Sequence, residues 1–462
     1  MKYISTRNGS KEFNFTEVFI KGLADDGGLF IPKTIPAISE QDLLRLSKLN
    51  YKDLAKEIIF LFCDETIRKD ELSNIVEKSY SKFNEKNVVK ITDIGENKIL
   101  ELYHGPTLAF KDIAMQFIGH LYDHHLKNLK KKINVVVATS GDTGAAAIDA
   151  IKSKDKMNIF VLHPNNKVSS VQRKLMTTVE DKNVFNIAID GNFDDCQNLV
   201  KSMFADNKFS NSINMSGVNS INWARIVAQT VYYFFSYFQA CQINEKINFS
   251  VPTGNFGDVY AGYLSKKMGL PIDKLIVATN QNDILHRAIS NGQYKAHSVV
   301  ETLSPSMDIQ VASNFERLIY DVLDQNSNKT KDVMNKFKKE KKYIINDENI
   351  ARIKNDFISE SLNEKEILET IKTNYEKYDI ILDPHTAVGL GAVNKLGFNK
   401  DCVILSTAHP CKFPEAINQA IQKNENLPEQ LNNILNEKEN FDIIENNLET
   451  IKNYIKQKLN EN

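Results

Sequence analysis

An α/β fold, doubly wound around a mostly parallel sheet, is predicted by three features of the sequence. Short β-branched and aliphatic runs recur from about residue 133 onward. Helix-spaced stretches separate them. Within each run nearly every position is apolar, the pattern of parallel strands covered on both faces rather than of half-exposed antiparallel ones. The runs are INVVVAT (133–139), NIFVLHP (158–164), NVFNIAID (183–190), KINFSVPT (246–253), KLIVATN (274–280), DIILDPH (379–385) and DCVILST (401–407). Strands alternating with helices define the α/β class.

Residues 1–95 differ. QDLLRLSKLNYKDLAKEIIFLF (41–62) has helical spacing and ADDGGLFIP (24–32) is a glycine-rich turn, so this part is read as an N-terminal accessory region. TVYYFFSYFQAC (230–241) is the most apolar segment. It is shorter than the ~20 residues a membrane span requires and is read as a buried aromatic helix. Segment 281–378 carries mixed helix and loop signals. At the C-terminus, Ile444, Leu448, Ile451, Ile455 and Leu459 fall at helical spacing in an Asn/Lys/Glu-rich stretch, which predicts an amphipathic helix rather than disorder.

Composition narrows the function. The chain has 462 residues, 42% hydrophobic and 25% charged, with a formal net charge of −1. That balance is ordinary for a globular protein and offers no electrostatic footprint for nucleic acid or an anionic membrane. The lysine runs KNLKKK (127–132) and KFKKEKK (336–342) suit solvated helix faces. Five cysteines, Cys63, Cys196, Cys241, Cys402 and Cys411, show no C-x-x-C spacing, which argues against a disulfide framework or a zinc site. MKYISTRNGS has no apolar core of a secretory signal, and the expected compartment is the cytoplasm.

In open parallel sheets, ligands gather at the carboxyl ends of strands. ATSGDTGAAA (138–147) places a hydroxyl-rich turn at a helix start, where backbone N–H groups favour an anion. It has neither a P-loop lysine nor a G-x-G-x-x-G, and a simple capped helix explains it equally well. VPTGNFGDVYAG (251–262) runs a strand into Gly254-Asn255-Phe256-Gly257. Its spaced glycines let successive amides surround a phosphate without a charged side chain, and a tight strand–helix connection is the alternative. LSTAHPCKF (405–413) ends a strand on Ser406 and Thr407, hydroxyls able to meet a ring nitrogen. His104, His163, His385 and His409 lack companions at metal-ligand spacing, so no metal is expected.

HGPTLAFKD (104–112) sets Lys111 after an apolar run. A desolvated lysine, a neutral phosphate cradle and a hydroxyl for a pyridine nitrogen together fit pyridoxal 5'-phosphate. Desolvation lowers the lysine's pKa and favours Schiff-base chemistry. A hydroxyl at the ring nitrogen, unlike a carboxylate, points to β/γ-elimination or replacement more than transamination. Asp112 is read as a helix N-terminal residue that supports the turn.

Along most of its length the chain resembles the threonine synthase family of fold-type-II pyridoxal phosphate enzymes. The resemblance is carried by YISTRNG (3–9), KGLADDGGLFIP (21–32), HGPTLAFKDIAMQ (104–116), ATSGDTGAAA, NSINWARI (219–226), VPTGNFGD, DPHTAVG (383–389) and LSTAHPCKF, in that order. It implies two open α/β lobes: a smaller one over 96–215 with Lys111 and the SGDTG loop, and a larger one over 216–462 with the phosphate loop. It implies that Lys111 carries the Schiff base, that Gly254, Asn255, Phe256, Gly257 and Asp258 form the cofactor's phosphate cup, and that Thr407 meets the pyridine nitrogen. Ser140, Asp142 and Thr143 resemble the loop that takes the substrate carboxylate and lies near the cofactor's ring oxygen. Asn219, Ser220 and Arg225 match positions that hold a substrate phosphate, a task for which the guanidinium fork is suited; a surface salt bridge is the other reading of Arg225.

Two positions depart from the pattern. Asp142 stands where many relatives have Asn, so a bond to the ring oxygen would need a proton or an intervening partner. Cys411 stands where Ala is usual, and burial as a small packed side chain accounts for it. The reaction implied is O-phospho-L-homoserine plus water giving L-threonine and phosphate, by a monomer or homodimer. Alternatives are a pyridoxal phosphate-dependent phospho-lyase, a threonine/serine dehydratase-like enzyme, and a non-catalytic pyridoxal phosphate-binding protein.

Overall fold

The computed structural model describes residues 1–127, 131–398, 400–423 and 425–461. Its strands are β1 (Tyr3–Ser5), β2 (Asn8–Phe13), β3 (Phe30–Pro32), β4 (Lys90–Ile94), β5 (Asn97–Glu101), β6 (Ile133–Ala138), β7 (Met157–Pro164), β8 (Val184–Ile189), β9 (Met215–Ser216), β10 (Ile247–Pro252), β11 (Ile272–Thr279), β12 (Gln293–Lys295), β13 (Lys342–Ile344), β14 (Phe357–Ser361), β15 (Cys402–Ser406) and β16 (Asp442–Ile444). Two sheets dominate, ordered β14-β11-β10-β15-β5-β4 and β16-β8-β7-β6-β9. All neighbours in both are parallel except β4 against β5. The predicted α/β class and parallel sheets are therefore present.

One predicted strand is absent. DIILDPH does not pair: Asp379 is a left-handed cap (φ 55°) closing the helix Glu364–Tyr378, and Asp383 caps the next helix, Pro384–Leu396. Pro384 lacks the N–H a ladder needs but suits the first helical turn. The carboxylate of Asp383 accepts hydrogen bonds from the backbone N–H groups of His385 and Thr386. The apolar run packs on helices instead, with Leu382 buried beside Ile367 and Ile371 and with Ile380 and Ile381 half-buried. The edge next to β11 is taken by β14, FISES, whose alternating burial is that of an edge strand.

The helix Trp223–Ala240 is buried along nearly its whole length, as its composition predicts. Among the described residues no helix is long and apolar enough to cross a membrane. The C-terminal helix is present as Leu448–Glu461, with Ile451 and Ile455 fully buried against β7 and β8 side chains. Ile444 belongs instead to β16, which pairs with β8. Of the lysine runs, 128–130 lie outside the described residues, whereas the lysines of 336–342 are exposed at the end of the helix Ser327–Glu340 and just beyond it.

The division at 95/96 and 215/216 is our proposal for the lobes, and the sheets cross it. Residues 97–101 form β5 of the larger sheet, whereas β16 returns to the smaller one. The accessory region contributes the small sheet β2-β1-β3. It is tied to the larger lobe by Arg7, whose guanidinium makes a bidentate pair with buried Glu316 at 2.8 and 2.6 Å.

Register decides where the site lies. Ser250 of β10 is level with Ile404 of β15, and Ser406 of β15 with Glu101 of β5. Three adjacent parallel strands thus release the Gly254–Gly257 loop, Thr407 and the Lys111 segment at the same carboxyl edge.

Candidate active site

The Lys111 segment is fastened to the end of β15 by an isolated antiparallel bridge, Ala109 to Ala408. Phe110 N donates to Thr407 O at 2.9 Å and His409 N to Leu108 O at 3.0 Å. Lys111 then opens the helix Lys111–Leu126 with its side chain buried. Its Nζ has two distant polar neighbours, Asp142 Oδ2 at 3.5 Å and Ser306 Oγ at 3.4 Å. Burial lowers its pKa; Asp142 pulls the other way, and the charges of Lys412 and Arg225 push further down. Burial and the two neighbouring cations thus bias Lys111 toward the neutral amine, and Asp142 opposes them.

Asp112 does structural work beside it. Thr107 donates to its carboxylate through N–H (2.8 Å) and Oγ (2.6 Å), and a Cβ on Gly105 would meet its side chain at 2.5 Å. Burial pushes its pKa up to about 7, against the two Thr107 hydrogen bonds. The native state thus prefers the protonated acid. Its stabilising contribution is whole below about pH 4, where an unfolded carboxyl also holds its proton, and is lost as pH rises toward 7. Relative to wild type, the unfolding free energy of Asp112→Asn should rise from pH 4 to 7 by roughly 4 kcal/mol and then level off. Denaturant titrations at three pH values check this, and a constant difference would contradict it.

The SGDTG loop leaves β6 with Thr139 Oγ1 accepting from Gly141 N (2.9 Å) and Gly144 N (2.8 Å). Gly141 has φ 139°, and a Cβ there would strike Gln172 at 2.7 Å. The N-cap of the helix Asp142–Ile151 is Gly141, which has no side chain to offer, and Thr139 Oγ1 takes only the amide of Gly144, so the amides of Asp142 and Thr143 are the ones that can meet an anion. Ser140 and Thr143 flank this opening, half-buried. Asp142 is buried between two lysines: Lys412 Nζ lies 2.5 Å from Oδ1 and Lys111 Nζ 3.5 Å from Oδ2, while Gln172 Nε2 donates to Oδ1 at 2.8 Å. Burial alone would raise its pKa; the two ammonium groups outweigh it and hold the carboxyl far below the ordinary range. The partner that the Asp-for-Asn departure calls for is thus Lys412, a residue inside the quoted LSTAHPCKF that sequence reasoning passed over.

The Gly254–Gly257 loop is built for close approach. A Cβ on Gly254 would lie 3.0 Å from Ser306 O, and one on Gly257 3.2 Å from Asn314 Nδ2. Phe256 caps the following helix in the left-handed region (φ 64°, ψ 6°). A bulky side chain rarely takes that conformation, and strain of this kind collects at ligand clamps. It is held by the burial of the Phe256 ring against Phe315 and Phe357, and by Asn314, whose N and Nδ2 donate to Asn255 O. Asn314 also donates to Ser220 O at 3.3 Å, joining the loop to the 218–222 segment. Buried Arg317 secures this hub through Asn314 Oδ1, Ile221 O and Phe30 O. Asp258 turns its carboxylate to the hydroxyls of Tyr232 (2.5 Å) and Tyr233 (2.9 Å), so its backbone N–H rather than its charge is available at the loop. Burial pushes its pKa up to about 6.

Arg225 is buried, which removes the surface salt-bridge reading. Nη1 donates to Val218 O at 3.2 Å, and Nε has no partner among the described residues. Burial lowers its pKa to about 10, opposed by Tyr232 and Asp258. Asn219 is exposed and Ser220 half-buried on the turn above it. Thr407 is buried just past the end of β15, and its backbone carbonyl accepts from Phe110 N. Ser306 was not foreseen. Its N–H donates to His385 Nε2 (3.2 Å), whose Nδ1 faces Asp383 at 2.8 Å. This chain holds the Ser306 hydroxyl toward Lys111. Cys411 is buried, with its thiol pushed up to about 12 by that burial, in keeping with a packing role.

These residues fit pyridoxal phosphate: a desolvated lysine, a strained glycine-spaced loop at a helix N-terminus, and a buried threonine at the end of the neighbouring strand. Comparison with known proteins agrees. Family models match as "Threonine synthase N terminus" over residues 2–80, "Pyridoxal-phosphate dependent enzyme" over 100–346 and "Threonine synthase, C-terminal" over 386–455. The chain is 42% identical to a threonine synthase of Pseudomonas aeruginosa, over 99% of this chain and 98% of that one. It is 43% identical to that of Saccharomyces cerevisiae, again over 99% and 98%. A solved threonine synthase of Brucella melitensis with pyridoxal phosphate bound superposes with a TM-score of 0.95 at 39% identity, covering 99% of each chain. The yeast structure superposes at 0.94 with 41% identity, over 100% of this chain and 99% of that one. On likeness of this extent at both sequence and structure level, the chain belongs to the threonine synthase family of pyridoxal phosphate-dependent enzymes.

Proposed function

We propose that this enzyme converts O-phospho-L-homoserine and water to L-threonine and phosphate, with Lys111 as its catalytic lysine. The observation that carries the reading is the pairing of a desolvated Lys111 with a buried, incompletely bonded Arg225 whose charge acts on it. The first suits proton transfer at carbon; the second suits a departing phosphate.

Pyridoxal phosphate, when bound, supplies a carbonyl that captures amines and a ring that spreads the negative charge of a deprotonated carbon. Lys111 would hold it covalently, the backbone amides of Gly254, Asn255, Phe256, Gly257 and Asp258 its phosphate, and Thr407 its ring nitrogen. When not bonded to the cofactor, Lys111 Nζ would be a free base able to take the proton from the substrate's Cα and, after giving that proton up, one from Cβ. Ser306 Oγ keeps that amine oriented. Ser140, Thr143 and the open amides of the SGDTG helix bind the substrate carboxylate. Arg225, with Asn219 and Ser220, binds the γ-phosphate and stabilises the charge that grows as its C–O bond breaks. Two protons would then be returned to carbon, one to the terminal carbon that lost the phosphate and one to Cα, with the hydroxyl of water added at Cβ and Lys111 as the amine placed to deliver them.

The partner is a small molecule rather than nucleic acid. Five free cysteines support a reducing, cytoplasmic setting, and a monomer or homodimer is the assembly we propose. Incubation of the cofactor-loaded enzyme with O-phospho-L-homoserine should release threonine and phosphate in equal amounts. Phosphate with 2-oxobutanoate and no threonine would make it a phospho-lyase instead.

A further inference from the structure

Lys412 lies in the short helical turn Pro410–Lys412, past the end of β15, and is fully buried. Its Nζ is 2.5 Å from Asp142 Oδ1 and donates to Thr107 O at 2.8 Å. One ammonium therefore joins three segments: the turn before Lys111, the SGDTG loop of the smaller sheet, and the loop that carries Thr407. The two lysines facing Asp142 are not equivalent. Charge-assisted N–H···O bonds run at about 2.7–2.9 Å; Lys412 is at least that close, whereas Lys111 stands off at 3.5 Å on the other oxygen.

We propose that Lys412 is a positioning residue for the catalytic lysine: it serves as the counter-ion of Asp142, so that the pair presents a neutral dipole to the cofactor and leaves Lys111 without a full counter-charge. The proposal rests on Lys111 as the cofactor-bearing residue.

The need for such a device follows from charge. A buried carboxylate facing Lys111 alone would keep that amine protonated, which a nucleophile and carbon base cannot be. A bare carboxylate would also repel an ionised oxygen on the cofactor ring. An asparagine would avoid both difficulties; here the same neutrality is reached with Asp142 and Lys412 together. The charged groups that act on Lys111 are Asp142, Lys412 and Arg225. Removing Lys412 leaves the one negative group nearest the amine uncompensated, while removing Asp142 leaves Lys412 buried without a counter-ion. Breaking a buried pair from one side is costly, whereas replacing both partners is often tolerated.

That asymmetry supplies the test. The variants Lys412→Met, Asp142→Asn and the double variant are loaded with pyridoxal phosphate. The pH titration of the bound cofactor's absorbance and the cofactor dissociation constant are measured, with thermal unfolding alongside. Lys412→Met should raise the titration midpoint by about one pH unit or more and weaken cofactor binding about 10-fold or more. Asp142→Asn should move the midpoint down. The double variant should return the midpoint close to wild type and bind cofactor better than Lys412→Met, and Lys412→Arg should leave the midpoint in place. A merely structural cross-link would lower thermal stability with no movement of the midpoint. That result, or losses in the double variant equal to the sum of the single ones, would overturn the proposal. If Lys412→Met does not fold, the double variant alone decides, since recovery of folding and of the midpoint is expected only of a neutralising pair. Borohydride reduction of the wild type separates the two claims: cofactor fixed on Lys111 leaves the lysine assignment standing whatever the variants show, and cofactor fixed elsewhere overturns both.

Discussion

Lys111→Ala should reduce turnover by about 10³-fold or more, because the substitution removes both the covalent anchor and the general base, each a large contributor to rate. The visible absorbance of the lysine-bound cofactor should vanish as well. The fold should survive: Lys111 lies on the first turn of its helix, and the segment before it is held by backbone bonds to β15 that the variant retains. Stopped assays of phosphate release together with an absorbance spectrum check the prediction. A variant that keeps the absorbance band would show that another amine carries the cofactor, and Lys412, which shares Asp142 with Lys111, is the candidate to examine.

Arg225→Met should lower kcat/KM for O-phospho-L-homoserine by about 100-fold, the worth of losing one charged hydrogen-bonding partner from a buried site. The cofactor spectrum should be unchanged, since this role concerns the substrate's phosphate and not the cofactor's. Arg225→Lys should recover part of the loss, keeping charge but not the fork. Inhibition by free phosphate should weaken in parallel. If the cofactor's affinity fell instead, Arg225 would belong to the cofactor's phosphate cup. Arg225 is one of the groups that lower the pKa of Asp258, so its removal shifts that buried acid toward its protonated form.

The strands that build the site were legible because their sequences carry little else. INVVVAT, KINFSVPT and DCVILST are buried on both faces, so nearly every residue is apolar and the period is unmistakable. DIILDPH shares that composition but ends in Asp-Pro, and the cap geometry of Asp383 with the missing N–H of Pro384 won over β propensity. β14 went unseen for the opposite reason: an edge strand reading FISES has too few apolar positions to signal burial. The aromatic helix followed from the composition of residues 230–241, nearly all within the observed Trp223–Ala240, whereas the assignment of β5 and β16 to their sheets depends on pairings hundreds of residues apart.

The same division applies to the site. Lys111, the glycine loop and Thr407 sit beside local signals, namely an apolar run, a glycine spacing and a strand end. Ser306, Asn314 and Lys412 do not. Ser306 and Asn314 lie in the stretch that carries the weakest sequence pattern, and they act through a backbone carbonyl or a single hydroxyl. Lys412 is a lone lysine whose meaning appears only when the smaller sheet brings Asp142 to within 2.5 Å. Asp142 itself carried a warning in the sequence, since a carboxylate in that position needs a partner, but the identity of that partner is a tertiary fact. Arg225 is the converse case: its residue type suited phosphate, and burial is what separates that use from an ordinary surface pair.

The assignment of Lys111 as the covalent anchor is tested most directly by trapping. Borohydride reduction of the cofactor-loaded enzyme, followed by proteolysis and mass spectrometry, should place one reduced pyridoxyl phosphate on the peptide containing HGPTLAFKD, at Lys111. A label on Lys412, or no label at all, would contradict the account.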